Sequence, residues 1–154
     1  MDTCTFNSDN SEAIRMDNVL ETTIDKSYFN NFTKRTFYIN NAKNFRVNKT
    51  VFANCCYNEK TGFMISGGVF VIENSNGKIS NCNFNRCSIK NLYGTLTLSG
   101  TYGKYASGFA FSFINSKFEL NSIVYSECKT YCHKIVDSED PIAKDKNSNI
   151  LIKK

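Results

Sequence analysis

The sequence predicts an all-β fold, a parallel β-helix solenoid of about five coils. Five gapless segments align so that aromatic falls on aromatic, aliphatic on aliphatic and Cys on Cys. A second block precedes four of them at a constant offset of ten residues, and apolar residues inside the blocks alternate with period two, the side-chain spacing of strands. The basic repeat is 23 residues, the length of one turn built from short strands. Adjacent turns of such a coil lie about 4.8 Å apart, so each inward residue meets its equivalents above and below. One coil cannot bury its own inner face, and only stacking makes a core.

The first segment is the partial Cys4 to Asp9 (CTFNSD). A leading block then starts at Ile14, ahead of Ile24 to Phe32 (IDKSYFNNF). Phe37 leads Val47 to Cys55 (VNKTVFANC), Val69 leads Ile79 to Cys87 (ISNCNFNRC), and Ala110 leads Leu120 to Cys128 (LNSIVYSEC). In this register one column is Phe6, Phe29, Phe52, Phe84 and Tyr125, and a second is Phe32, Cys55, Cys87 and Cys128. A third, small or β-branched, is Cys4, Ser27, Thr50, Cys82 and Ile123, and a fourth is purely aliphatic: Ile24, Val47, Ile79 and Leu120. Residues 1–128 are assigned to the repeats, and residues 129–154 to a C-terminal tail or a partial further coil opening at His133 to Val136. An antiparallel sandwich is the main competitor. Leucine-rich repeats lack their regular Leu spacing here, and helix fits worst because Asn, Ser, Thr, Phe and Gly are weak helix formers.

The repeats lengthen at one place. From the aliphatic column to the next leading block the distance is 13 residues (Ile24 to Phe37), then 22 (Val47 to Val69), then 31 (Ile79 to Ala110). Stacked insertions at one corner of a solenoid project together and build one surface. That corner holds Tyr57, Glu59, Lys60, Lys90, Tyr93, Tyr102, Lys104 and Tyr105, and no acid occurs between Cys87 and Gly108. Aromatic faces pack on sugar rings while amines meet anionic groups, so Tyr57, Lys60, Lys90, Tyr93, Tyr102, Lys104 and Tyr105 are the candidate ligand-binding residues. The competing view is an ordinary solvated loop, with Leu96 and Leu98 continuing the sheet.

Composition narrows the classes. With 154 residues, 41% hydrophobic and 21% charged, the chain is expected to order itself as one domain. No run approaches the roughly 18 apolar residues of a membrane helix, so no transmembrane segment is expected. The net charge of +5 is spread along the chain and recognition motifs are absent, so nucleic acid is not an expected partner. The start, MDTCTFNSDNSEAIR, lacks the basic and apolar regions of a secretory signal. Two settings follow: a cytoplasmic chain as it stands, or an extracellular or cell-surface piece of a longer chain.

No catalytic or cofactor constellation emerges. Cys82-x4-Cys87 with Cys128-x3-Cys132-His133 supplies zinc-type donors, but Cys87 and Cys128 share a column with Cys55, where a small core-facing side chain explains them. No metal or cofactor is therefore expected. A single His gives no nucleophile triad, and Asp137, Glu139 and Asp140 form a turn before Pro141 rather than a carboxylate pair. Gly67-Gly68 and Gly100 mark turns, since no phosphate-loop pattern surrounds them. Asn31-Phe32-Thr33 and Asn48-Lys49-Thr50 are glycosylation sequons that matter only in a secreted chain.

The repeats Phe52-Ala53-Asn54-Cys55, Phe84-Asn85-Arg86-Cys87 and Tyr125-Ser126-Glu127-Cys128, with the leading Gly67-Gly68-Val69-Phe70, resemble the F-x-x-N and GGA-I repeats of polymorphic outer-membrane proteins. They are also similar to right-handed β-helix surface proteins of protists in the wider pectin-lyase-like group. The resemblance covers roughly residues 1–128, with Asn54 one place short of the family's Asn and Val69 in place of Ala. It implies a right-handed coil, as does the general crossover rule, and a large surface protein acting in adhesion. The Asp clusters, Gly-His-Gly and Arg-x-Lys of the group's pectate lyases and polygalacturonases are absent, so no catalytic residue carries over. The expectation is a non-catalytic surface or structural segment that binds a glycan or protein. Its alternatives are a piece of a polysaccharide-active enzyme and an intracellular scaffold. Neither end shows a polar cap, which points to a fragment of a longer solenoid, or to partnering by further coils or a capping partner.

Overall fold

The structure, a computed structural model, describes residues 4–7, 12–59, 65–91, 106–132 and 141–154. Its strands are numbered in chain order. Sheet one stacks β1 (Thr5–Asn7), β4 (Tyr28–Asn30), β7 (Val51–Ala53), β12 (Asn83–Asn85) and β17 (Val124–Ser126). Sheet two stacks β2 (Ile14–Asp17), β5 (Phe37–Asn40), β10 (Phe70–Glu73), β15 (Phe111–Ile114) and β19 (Ile142–Lys144). Sheet three stacks β3 (Thr22–Asp25), β6 (Phe45–Asn48), β11 (Asn76–Ser80), β16 (Lys117–Asn121) and β20 (Asn149–Lys153). Every neighbouring pair is parallel and lies one coil apart in sequence, as in β4 with β7, β5 with β10 and β6 with β11. The chain is a parallel β-helix of about five coils with three principal faces, as its columns predict.

The columns are the core. Phe6, Phe29, Phe52, Phe84 and Tyr125 stand in direct register across sheet one. Their rings stack, with centroids 4.6 Å apart for Phe6 and Phe29, 5.4 Å for Phe29 and Phe52, and 4.8 Å for Phe52 and Phe84. Such pairs contribute about 0.5–1.5 kcal/mol each beyond the area they bury. Ile24, Val47, Ile79 and Leu120 align across sheet three, and Ile152 extends the column.

One part of the predicted register is corrected. In sheet two, Ile14 and Phe37 stand opposite Phe70 and Phe111, not opposite Val69 and Ala110. The offset of ten therefore holds for the first two coils and drops to nine in the next two. The corner between sheets two and three is one residue shorter there, closed by Ser75 and Ser116 where the earlier coil has Ala42 and Lys43. The shift sets Phe on Phe, with Phe37 and Phe70 centroids 4.6 Å apart and Phe70 and Phe111 5.4 Å apart. After residue 128 a further coil is carried by β19 and β20, and His133 to Val136, where the sequence expects it to open, lie outside the described residues.

The corners explain the abundance of Asn. Twelve of the fifteen principal strands are followed by one left-handed residue: Asn18, Asn41, Asn74 and Asn115 after sheet two, Lys26, Lys49, Asn81 and Ser122 after sheet three, and Asn31, Asn54, Arg86 and Glu127 after sheet one. That conformation costs an L-residue roughly 1–2 kcal/mol, and Asn tolerates it best after Gly. Stacked Asn side chains also bond between coils, with the Asn41 amide donating to Asn18 Oδ1 at 2.6 Å and the Asn115 amide to Asn74 Oδ1 at 2.9 Å. A small inward residue usually follows. Its hydroxyl or thiol donates back two residues, as Ser27 does to the Asp25 carbonyl (3.0 Å), Thr50 to Asn48 (3.0 Å) and Cys82 to Ser80 (3.1 Å). It also accepts the backbone N–H of the coil before, as Ser75 Oγ does from Ala42 (2.9 Å) and Ser116 Oγ from Ser75 (3.1 Å).

Candidate functional site

The added residues leave the solenoid beyond sheet one. In the first full coil the chain passes from Phe32 to Phe37 with no intervening strand. The longer coils insert β8 (Cys56–Glu59), β13 (Ser88–Asn91) and β18 (Lys129–Cys132), which pair in parallel as a three-stranded sheet. They also insert β9 (Ile65–Gly67) and β14 (Ala106–Gly108), which pair with each other.

This second pair lies against the outside of sheet two. The outward column there is Arg15, Tyr38, Val71, Ser112 and Ala143. Arg15 is exposed and caps the Tyr38 ring at 4.5 Å, whereas Val71, Ser112 and Ala143 are buried. Burial and the Glu73 carboxylate raise the Tyr38 pKa, so its hydroxyl stays protonated and donates to Glu73 Oε2 at 3.2 Å. Gly67 makes the close approach possible, since a Cβ there would fall 1.9 Å from the Phe70 carbonyl oxygen and 2.5 Å from the Ser112 nitrogen. Gly67 is thus a strand residue at a backbone contact, not only the turn marker its sequence predicts.

Of the candidate binding residues, Tyr57 and Lys90 are placed. Lys60, Tyr93, Tyr102, Lys104 and Tyr105 lie outside the described residues, as do Leu96, Leu98 and Gly100. Tyr57 is half-buried and stands opposite Ile89 and, one strand on, Thr130, both fully buried. The Arg35 guanidinium lies 5.4 Å from the Tyr57 ring and donates to its hydroxyl at 3.4 Å. Lys90 is exposed on the opposite face. With it on that outward face are Cys56, Ser88 and Lys129, aligned by the register of β8, β13 and β18. Lys129 is a contributor that the sequence reading passed over; its place immediately after the Cys128 column, matching Ser88 after Cys87, is the signal that would have found it.

The Cys column is buried and hydrogen-bonded. The Cys55, Cys87 and Cys128 thiols donate to the carbonyls of Ala53, Asn85 and Ser126 at 3.4, 3.7 and 3.3 Å. They do what the Ser and Thr hydroxyls do at other corners, so they are polar corner groups as well as small core residues. Cys128 Sγ also accepts the Cys87 N–H at 3.3 Å. Hydrogen bonding from the Cys87 thiol brings the Cys128 pKa down to about 7, against the opposing effect of burial, while Cys87 itself is held well above its usual value. Burial pushes Cys82 up to about 11. The side chain of Cys132 and all of His133 lie outside the described residues, and among those described no three His, Cys, Asp or Glu side chains converge as metal ligands.

The two sequons fall in the corners. Asn31 is exposed, whereas the Asn48 amide donates to Asp25 Oδ1 at 2.7 Å and its carbonyl accepts from Asn81 at 3.0 Å. A glycan on Asn48 would break that ladder. Compared with protein-family models, curated proteins and solved structures, the chain has no match.

Proposed function

We propose that the chain is a non-catalytic binding segment that binds an acidic glycan with the outward face of β8, β13 and β18. The observation carrying this is the confinement of coil growth to one corner. Sheets one to three keep their register through every coil, while residues accumulate between β8 and β9 and between β13 and β14. The flanking outward face carries the Lys90 and Lys129 amines, and residues 88–107 contain no acid. Amines on an extended, regular surface suit a repeating anionic polymer, whose charges they meet at a spacing set by the coils.

The test is equilibrium binding to polygalacturonate, with neutral dextran as control. Lys90→Glu combined with Lys129→Glu should weaken binding by about tenfold and steepen with falling salt, the behaviour of exposed charge contacts. Replacing Tyr93, Tyr102 and Tyr105 together with Ser should abolish it. Unchanged affinity in both variants, with wild-type circular dichroism, ends the proposal. Turnover of pectin or alginate by the chain would replace it with the polysaccharide-active alternative.

A further inference from the structure

The core of the solenoid stacks three nucleophiles. Cys55, Cys87 and Cys128 follow by two residues the in-register set Ala53, Asn85 and Ser126, and precede by one the in-register set Cys56, Ser88 and Lys129. They therefore lie one above another in successive coils. The backbone ties them there, with the Ser88 N–H donating to the Cys55 carbonyl at 3.0 Å and the Lys129 N–H to the Cys87 carbonyl at 3.1 Å. Coils about 4.8 Å apart bring such Cα atoms within the roughly 4.4–6.8 Å that a disulfide spans, and all three side chains enter the same core.

The side chains already interact, and the members of the column differ. The Cys87 thiol hydrogen-bonds to Cys128, whose Sγ also accepts the Cys87 N–H at 3.3 Å. Cys55 and Cys87 are fully buried, whereas Cys128 is 8% exposed, so a small reagent meets the column at Cys128. The hydrogen bond from Cys87 brings the Cys128 pKa to about 7, which leaves a large share of it at neutral pH as thiolate, the reactive form. Cys87 is held well above its usual value and stays a thiol.

We propose that Cys128 and Cys87 form a peroxide-responsive pair, in which Cys128 is oxidised first and Cys87 then closes a disulfide between adjacent coils. Hydrogen peroxide transfers one oxygen to the Cys128 thiolate, giving the sulfenic acid and releasing hydroxide. The Cys87 sulfur attacks the Cys128 sulfur; the S–S bond forms, the S–O bond breaks, and the departing hydroxide takes the Cys87 proton as water. In balance, two thiols give up two hydrogens and two electrons, and one peroxide becomes two waters. The bond ties the coil of β12 and β13 to that of β17 and β18 inside the core, so the inference does not rest on glycan binding at the outward face.

Trypsin separates the two sites, because residues 87–90 hold Cys87 as their one cysteine and residues 118–129 hold Cys128 as theirs. The reduced 154-residue chain is treated with hydrogen peroxide, remaining thiols are alkylated, and the peptides are mapped by mass spectrometry. The expected product is these two peptides linked, two hydrogens lighter than their sum and parted by dithiothreitol. Cys82, buried and with a pKa of about 11, should lose its thiol at least about tenfold more slowly than Cys128. Cys87→Ser should stop the reaction at a Cys128 sulfenic acid that dimedone traps, and Cys128→Ser should leave Cys87 reduced. Serine suits both places, since Ser27, Ser75 and Ser116 donate to the carbonyl two residues back at other corners. Should a serine variant lose its β circular dichroism, the linked peptide and the order of thiol loss in the wild type still decide. Both peptides remaining fully alkylated at a peroxide dose that oxidises the exposed Cys56 overturn the proposal. So does Cys87 oxidation as fast in Cys128→Ser as in wild type, or a wild-type Cys128 that accumulates unpaired sulfinic acid.

Discussion

Asn41 shows how much one residue carries. Its φ of 54° turns the chain from sheet two to sheet three, and its amide bonds to Asn18 in the coil below. Asn41→Ala should lower stability by about 1–2 kcal/mol, because alanine meets the full left-handed cost and supplies no amide. Asn41→Gly should cost less, since glycine adopts that backbone freely and forfeits only the hydrogen bond. Urea denaturation of the two variants separates the contributions; equal losses would mean the conformation is not what Asn41 is there for. The aromatic and aliphatic columns are legible in the sequence because identical neighbours along a stack must be chemically alike. The thiol chemistry is not legible there, since the low Cys128 pKa comes from a Cys87 thiol 41 residues away.

Whole strands are tied by charge as well as by backbone. Glu119 on β16 lies 2.9 Å from Lys78 on β11 and 3.3 Å from Lys153 on β20, so one carboxylate bridges three coils. Hydrogen bonds from Lys78 and then Lys153 hold its pKa below the usual carboxylate value. A depressed folded-state pKa means that its contribution is complete above the ordinary carboxylate pKa and is lost as the pH falls through the lowered one. Thermal unfolding between neutral and acid pH should therefore show a smaller acid loss in Glu119→Gln than in wild type, and high salt should narrow the difference. The same register explains the offset error in sheet two. Period-two alternation fits both Val69 with Val71 and Phe70 with Ile72, because all four are buried, the second pair inward and Val71 beneath the outer β9 and β14. A strand buried on both faces carries no alternation with which to choose its register.

Across the molecule, stability is shared between neighbouring coils only, as in any solenoid. Hydrogen exchange should be slowest in β7, β12, β6 and β11, which have a rung on either side, and faster in β1, β2, β19 and β20 at the ends. Uniform protection along the dilute monomer would contradict nearest-neighbour coupling. By itself the sequence determined the architecture: its columns, its 23-residue coil and the corner at which the coils grow, because contacts between like residues at a fixed period are written as repeats. Only the tertiary structure decided the register of sheet two, the outer layer of β9 and β14 resting on Gly67, and the separation of Tyr57 from Lys90 onto opposite faces. These depend on which backbones meet across coils of unequal length, and an inserted segment has no counterpart in the shorter coils from which its path could be read.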